Sequence, residues 1–418
     1  MFCMKKVIEQ FYPTGKIHIP GSKSFTQRAL AAALLAEGVS EIRNPSRSDD
    51  ALHAMKVIER LGATITDREV ELIVQGGFAP LSYEVHCGES GLAFRLFSAI
   101  VALHDAEMVV KAGGTLRNRP MDMIENSLQE LGVRCTTQRG HAPVRVQGPL
   151  LGGRARVDGS QSSQFLSGLL MALPLAENDS ELEVDSLKSK PYVDMTLEVL
   201  ESFGIRVDHS GYRYFRIPGK QRYRACRYTV EGDWSGAAFF LVAGALGGPV
   251  EVTGLDPQSG QADRAILEVL EKSGVNMEIS EEKIRVWRGD IRPFDFDATD
   301  CPDLFPPLVP LAAHARGKST IRGITRLFAK ESNRARVLEE EFAMLGVKVE
   351  TEGDVMQITP GPLRQGVIDP HGDHRIAMAA AVMAAGDVPG VTVLDPGCTA
   401  KSYPTFFHDI QNIGGKIT

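Results

Sequence analysis

The chain has no Cys-x-x-Cys pair. Its six cysteines, Cys3, Cys87, Cys135, Cys226, Cys301 and Cys398, are scattered over 418 residues. That spacing argues against a zinc site or a disulfide framework and fits a reducing cytoplasm. Long apolar runs are also missing. The longest, Ile376 to Ala385, is far short of the ~20 residues a membrane helix needs. Met1 to Gln10 carries Lys5 and Lys6 but no apolar stretch suited to a signal peptide. Positive charge is not in excess: 46 Lys and Arg against 53 Asp and Glu give a net charge of −7. A chain of that sign is a poor general binder of nucleic acid, although a local basic cleft remains compatible with it. His371 and His374 have the spacing of metal ligands, but no third ligand cluster accompanies them, so no metal is expected.

What is present is ordinary globular material, 43% hydrophobic and 24% charged. At roughly 150 residues per domain this length predicts two or three domains. Glycine, at 41 residues, exceeds the usual share of about 7% and points to many turns or close backbone approaches.

The glycines expose a repeat. Leu61-Gly62, Leu131-Gly132, Phe203-Gly204, Ser273-Gly274, Leu345-Gly346 and Ile413-Gly414 recur at intervals of 70, 72, 70, 72 and 68 residues. A second glycine follows each of the first five, at Gly76, Gly148, Gly219, Gly289 and Gly361, marking a consistent downstream turn. The third copy gives the content of a unit. Arg154 to Asp158 reads as a strand, Ser162 to Ala176 as a helix with an apolar face, and Glu181 to Leu187 as a second strand. Pro191 suits the first turn of a helix buried through Val193, Leu197, Leu200 and Phe203, and Gly204 suits its left-handed cap. Ile205 to His209 and Tyr212 to Ile217 complete a hairpin, so the unit is βαβαββ.

The sixth copy reaches Thr418 only one strand into its hairpin, and the spare piece Lys5 to Phe11 is expected to supply the other. The chain then crosses twice, near Pro20 and near Glu231. The predicted fold is α/β, with two similar domains of three βαβαββ units joined by a double-crossover hinge. Residues 20–230 form the first domain, and 1–19 with 231–418 form the second. The cleft between such domains is the expected ligand site.

The start of each unit's first helix is unusually polar. The first copy reads Gly21-Ser22-Lys23-Ser24-Phe25-Thr26-Gln27-Arg28, and the second Gly88-Glu89-Ser90-Gly91 with Arg95 one turn on. The third reads Gly159-Ser160-Gln161-Ser162-Ser163-Gln164, and the sixth Asp373-His374-Arg375. Helix starts present unpaired N–H groups and a positive dipole end, so such residues suit phosphate or carboxylate. Helix capping explains the serines equally well, but the accompanying Lys, Arg and Gln favour anion binding. A nucleotide P-loop is disfavoured because Ser22, not Gly, precedes Lys23. Lys330-Glu331-Ser332-Asn333-Arg334 reads as the charged opening of a helix, Asp300-Cys301-Pro302-Asp303 as a turn, and Lys401 as a loop lysine. Each has a plain structural explanation when taken alone.

Taken in order, these stretches resemble the 5-enolpyruvylshikimate-3-phosphate synthase family over the whole length, from Pro20-Gly21-Ser22-Lys23-Ser24 to Lys401-Ser402-Tyr403-Pro404. The most specific are Ser162-Ser163-Gln164-Phe165-Leu166 and Ser189-Lys190-Pro191-Tyr192-Val193-Asp194-Met195-Thr196. The resemblance implies two inside-out α/β domains and a shikimate-pathway transferase on the route to chorismate and the aromatic amino acids. Such an enzyme moves a carboxyvinyl group from phosphoenolpyruvate to shikimate 3-phosphate. It implies no cofactor, no nucleic-acid or membrane partner, a cytoplasmic location and a monomer. By the same resemblance shikimate 3-phosphate is expected on Lys23, Ser24, Arg28, Ser162, Ser163, Gln164, Ser189, Asp303 and Lys330. Phosphoenolpyruvate is expected on Lys23, Gly91, Arg119, Gln164, Arg334, Arg375 and Lys401. Asp303, Glu331 and Lys23 are the expected proton-transfer groups.

Several positions depart from the family's usual residues. Thr26-Gln27 stands for Ser-Asn, Glu89 and Leu92 for Asn and Thr beside Gly91, Asn333 for Asp, and Arg326 for an Asn near the shikimate ring. Two alternatives remain. One is the sibling transferase acting on UDP-N-acetylglucosamine, disfavoured because Lys111 to Pro120 holds neither the Cys nor the Asp that family places there. The other is an anion-binding homologue without turnover, disfavoured by the presence of Lys23, Asp303 and Glu331 together.

Overall fold

The structure, a computed structural model, describes residues 4–418, so Cys3 lies outside the described residues. The chain divides into two compact units, Gly21–Val230 and Met1–Pro20 with Glu231–Thr418.

The first unit contains helices α1 (Lys23–Leu35), α2 (Asp49–Arg60), α3 (Gly91–Ile100), α4 (Asp122–Glu130), α5 (Gln164–Ala172) and α6 (Lys190–Ser202). The second contains α7 (Trp234–Leu246), α8 (Ile266–Lys272), α9 (Phe305–Ala313), α10 (Arg334–Ala343), α11 (His374–Met383) and α12 (Phe406–Asn412). Each repeat thus supplies two helices of different character. The first of each pair is apolar nearly all round, which only a fully buried helix tolerates. Every residue of α3, α9 and α11 is buried. The second is amphipathic: α2 buries Ala51, Ala54, Met55, Val57 and Ile58 and leaves Lys56, Glu59 and Arg60 in water. In each unit the first helices pack on one another in the centre, α3 against α1 and α5, and α7, α9 and α11 mutually.

The strands explain what lies outside. Arg154–Asp158 alternates, with Ala155 and Val157 buried and Arg154, Arg156 and Asp158 exposed. One face therefore covers helices and the other meets solvent. Its sheet runs Arg154–Asp158, Ser180–Asp185, Tyr214–Ile217, Asp208–Ser210. The first pair is parallel with Ala155 opposite Leu182, and the rest is antiparallel. The other repeats keep this order, so helices fill the interior and sheets form the surface.

Two strands change places between repeats. Gly15–His18 precedes α1 in the chain but pairs in parallel with Val250–Thr253 of the fourth repeat. Arg227–Thr229 precedes α7 but pairs in parallel with Glu41–Arg43 of the first. Both hold the same place in the repeat pattern, so periodicity alone cannot separate them. In the sixth sheet Lys5–Glu9 lies antiparallel to Gly390–Leu394. Val7 exchanges backbone hydrogen bonds with Thr418 (2.8 and 3.0 Å). The N-terminal strand thereby fills the hairpin position that the sixth copy lacks.

The glycine that follows each second helix has a positive φ in all six copies, between +76° and +113°. That region strains any residue with a Cβ. Three local expectations are corrected. The helix expected over Ser162 to Ala176 starts at Gln164 and stops at Ala172, continuing as a tighter 3-10 turn Leu173–Leu175 around Pro174, whose ring and missing N–H end the α-helical ladder. The hairpin strand expected from Ile205 covers only Asp208–Ser210, because Ile205 is drawn into the core. Lys330 and Glu331 precede α10 rather than opening it, since Asn333 accepts from the Arg336 N–H and caps the helix there.

Candidate active site

In the unit Gly21–Val230 the starts of α1, α3 and α5 are tied to each other. The Ser90 hydroxyl, at the start of α3, donates to Gln27 in the first turns of α1 (2.7 Å). Arg95, one turn into α3, donates through Nη1 to the Gln164 amide oxygen at the start of α5 (3.0 Å). Gly168 permits this approach: a Cβ there would stand 2.7 Å from the Arg95 carbonyl oxygen and 3.0 Å from the Leu96 Cα. Three positive dipole ends therefore face one region, an arrangement that favours anions. Ser22 and Ser90 act as helix caps. Ser163 makes no side-chain cap, and Ser162 accepts from the Gln164 N–H (3.2 Å).

The cations of this region are held in place. Lys23 opens α1 and its ammonium lies 2.9 Å from Asp50. Arg28 is fully buried and donates to the Thr196 hydroxyl (2.8 Å), the Ser24 carbonyl (2.9 Å) and the Tyr192 carbonyl (2.9 Å). Burial lowers its pKa to about 10 against the opposing pull of Tyr192 and Tyr228. Because Tyr192 and Thr196 belong to α6, Arg28 fixes that helix to α1. Its cap, Ser189, is held in the left-handed region at φ +58°, a conformation that costs a non-glycine residue about 1 kcal/mol or more and often marks a functional position. At α3, a Cβ on Gly91 would stand 2.9 Å from Arg119 Nη1 and 3.0 Å from Arg95 Nη1. Two guanidinium groups thus close on one bare backbone position.

In the other unit an ion network surrounds the buried Arg334. Its Nη1 donates to Asp303 (2.8 Å), its Nη2 to Glu331 (2.9 Å), and its Nε and Nη2 to Asp373 (2.9 and 3.2 Å). Arg375 Nη2 lies 3.0 Å from the second oxygen of Asp303, and Lys330 Nζ lies 3.5 Å from the first. Burial pushes the Asp303 carboxyl upward, but Arg375, Lys330 and Arg334 outweigh it and hold it well below the usual carboxylate range. Lys330 is lowered to about 8, first by burial and then by Arg334 and Arg326, with Asp303 opposing. Asp263 packs nearby and accepts a hydrogen bond from the Ser235 hydroxyl. Burial, then the negative charge of Asp303, raises it to about 7. Lys401 is buried at the end of the turn Pro396–Lys401, which packs on α11.

The structure therefore gathers Asp303, Glu331, Lys330, Arg334 and Arg375 into one network within a single unit. In the other unit Arg95 bonds both the Gly91 carbonyl and Gln164, Arg119 stands beside Gly91, and Arg28 is joined to Ser24 and the helix capped by Ser189. Lys23 is linked to Asp50. Arg326 sits half-buried in the turn Ile324–Leu327, close enough for its charge to act on Lys330. Sequence reasoning placed Arg95 and Asp373 only among the polar helix starts and gave no role to Asp50 or Asp263. Arg95 carried a usable signal, an arginine inside the run Leu92 to Ile100 that is otherwise apolar but for Ser98, where a charge persists only if it is paired.

The family model for EPSP synthase (3-phosphoshikimate 1-carboxyvinyltransferase) matches residues 11–410. The 3-phosphoshikimate 1-carboxyvinyltransferase of Sulfurovum sp. is 37% identical over 415 residues, 96% of this chain and 97% of its own. That of Methanoculleus marisnigri is 39% identical, covering 94% and 96%. Among solved structures, EPSP synthase from Acinetobacter baumannii superposes with a TM-score of 0.83 at 24% identity over 99% of both chains. The enolpyruvyl transferase NikO from Streptomyces tendae superposes at 0.79 and 19% identity, covering 99% and 98%. The fold is that of the enolpyruvyl transferases. Within that class, the chain belongs to the EPSP synthase (3-phosphoshikimate 1-carboxyvinyltransferase) family.

Proposed function

We infer that the protein transfers the carboxyvinyl group of phosphoenolpyruvate to the 5-hydroxyl of shikimate 3-phosphate and releases phosphate, a step of the shikimate pathway towards chorismate and the aromatic amino acids. The observation that carries this reading is the partly buried network of Asp303, Glu331, Lys330, Arg334 and Arg375 in a chain that matches the family over residues 11–410. The sibling reading on UDP-N-acetylglucosamine is not favoured by relatives that carry the 3-phosphoshikimate name over nearly their whole length.

The two substrates together bring about five or six negative charges, and clustered Lys and Arg are needed to offset their repulsion. Shikimate 3-phosphate is assigned to Ser162, Ser163 and Ser189, with Lys23, Ser24, Arg28, Gln164 and Lys330. Phosphoenolpyruvate is assigned to Lys23, the Gly91 backbone, Arg119, Gln164, Arg334, Arg375 and Lys401. The 5-hydroxyl oxygen bonds to C2 of the enol and gives its proton to Asp303, while C3 gains a proton and becomes a methyl group. The product is a tetrahedral ketal. Its C2–O bond to phosphate then breaks, C3 returns a proton, and the carboxyvinyl ether remains. Glu331 and Lys23 are the candidates for the C3 proton, and a group that gives it in the first half takes it back in the second.

Asp303 is a weak base while Arg375, Lys330 and Arg334 surround it. Substrate anions that engage Arg375 and Arg334 draw these charges away from Asp303 and add negative charge beside it. Both effects raise its proton affinity. Base strength therefore rises when both substrates are in place. The reading also expects a monomer in the cytoplasm. Among the described residues no helix is long and apolar enough to cross a membrane.

Turnover of phosphoenolpyruvate and shikimate 3-phosphate by the wild type, with Asp303→Ala and Lys23→Met alongside, tests the assignment. Each substitution is expected to lower kcat by about 100-fold or more. Near-normal rates in either variant would remove that residue from the mechanism.

A further inference from the structure

Glu89 lies one residue before the cap of α3. Its Oε2 accepts the Thr115 backbone N–H (3.3 Å) and the Thr115 hydroxyl (3.1 Å). Thr115 belongs to the short turn Gly114–Asn118, and the next residue is Arg119. The same two segments are also joined by the Gly113 N–H, which donates to the Gly88 carbonyl (2.6 Å). At their far end Arg119 comes within 2.9 Å of the position a Gly91 Cβ would take. The segment that carries Arg119 is thus clamped to the start of α3 just before the guanidinium reaches it.

Gly113 and Gly114 make the clamp necessary. Adjacent glycines leave the backbone with little intrinsic preference, and Gly114 sits at φ +45°. A Cβ on Gly114 would fall 2.0 Å from Glu89 Oε1, so the carboxylate fills the space where residue 114 would otherwise carry a side chain. One carboxylate oxygen thus accepts from both the N–H and the hydroxyl of Thr115.

We propose that Glu89 is a positioning residue for phosphoenolpyruvate: by bonding Thr115 it fixes Arg119 over the Gly91 end of α3 and so pre-forms one side of that anion's site. This rests on the function proposed above. Glu89 touches no reacting atom in this account, and its effect travels through Arg119.

The test is steady-state kinetics with both substrates varied, together with Tm, for the wild type, Glu89→Ala, Glu89→Gln and Thr115→Val. Two partly exposed hydrogen bonds are worth roughly 1 kcal/mol together, or about fivefold in an equilibrium constant. Glu89→Ala is expected to raise KM for phosphoenolpyruvate about fivefold. KM for shikimate 3-phosphate and kcat should stay within about twofold, and Tm within about 2 °C. Glu89→Gln, whose amide oxygen accepts the same bonds, should restore the wild-type KM. Thr115→Val, which keeps only the backbone N–H, should raise it about twofold. The proposal is overturned if Glu89→Ala leaves KM for phosphoenolpyruvate unchanged or raises both KM values equally. It is overturned as well if Glu89→Gln behaves like Glu89→Ala, since charge rather than tethering would then matter. Should Glu89→Ala fail to fold, Thr115→Val decides: a selective rise supports the proposal and an unchanged value sinks it. A wild type without turnover contradicts the proposed function, whereas an active wild type with an indifferent Glu89 contradicts this inference alone.

Discussion

Arg334 commits Nε, Nη1 and Nη2 to Asp373, Asp303 and Glu331, and that arrangement sets the pH behaviour of the site. Lys330, lowered to about 8, carries its charge below that pH and loses it above. The kcat/KM for shikimate 3-phosphate, which reports groups of the uncomplexed enzyme, should therefore decline as pH rises through about 8. In Lys330→Arg, whose side chain stays charged, the decline should vanish up to about pH 9. A limb unmoved by that substitution would assign it to another group. Asp263 behaves in the opposite sense. Its folded pKa, about 7, lies above the ordinary carboxylate value, so its contribution to stability is present at low pH and is lost as pH rises through about 7. Asp263→Asn removes the titration, and its stability relative to wild type should increase by about 2 kcal/mol between pH 5 and pH 8. Denaturation curves at both values check this, and a constant difference would contradict it.

At the scale of the element, two glycines near the same helix starts separate packing from chemistry. A Cβ on Gly168 would meet α3 backbone, the Arg95 carbonyl oxygen at 2.7 Å and the Leu96 Cα at 3.0 Å, and backbone cannot step aside. Gly168→Ala should cost about 1–3 kcal/mol of stability. The nearest atoms to a Cβ on Gly91 are the side-chain ends of Arg119 and Arg95, which can shift more readily than backbone. Gly91→Ala should leave stability within about 1 kcal/mol while raising KM for phosphoenolpyruvate. Thermal melts and kinetics on the pair check both, and a reversed order would contradict the packing described. Helix starts were legible in sequence because Ser, Gly and Asp punctuate them. Their internal partners were not. Lys23 with Asp50, Arg95 with Gln164 and Arg334 with Asp373 each join elements 27, 69 and 39 residues apart, and no local pattern encodes such pairs. The start of α10 was misplaced for a related reason: Lys330 and Glu331 look like a helix's first charged turn, yet they belong to the ion network.

For the whole molecule, glycines about 70 residues apart made the six repeats readable, because each marks a backbone conformation that recurs with the unit. The exchange of Gly15–His18 and Arg227–Thr229 between the first and fourth sheets was not readable in its pairing, since equivalent strands carry equivalent patterns. The acidic net charge likewise concealed cations set at buried helix starts, such as Arg28, Arg334 and Arg375. Function was legible through the order of motifs along the chain, each of which has an ordinary structural explanation on its own.

The central claim is carboxyvinyl transfer by addition and elimination at C2. Phosphoenolpyruvate labelled with oxygen-18 in its C–O–P bridge, incubated with the enzyme and shikimate 3-phosphate, tests it in one mass spectrum of the released phosphate. The account predicts phosphate that carries the label, in step with formation of the carboxyvinyl ether. Unlabelled phosphate, or no phosphate until UDP-N-acetylglucosamine replaces shikimate 3-phosphate, would contradict it.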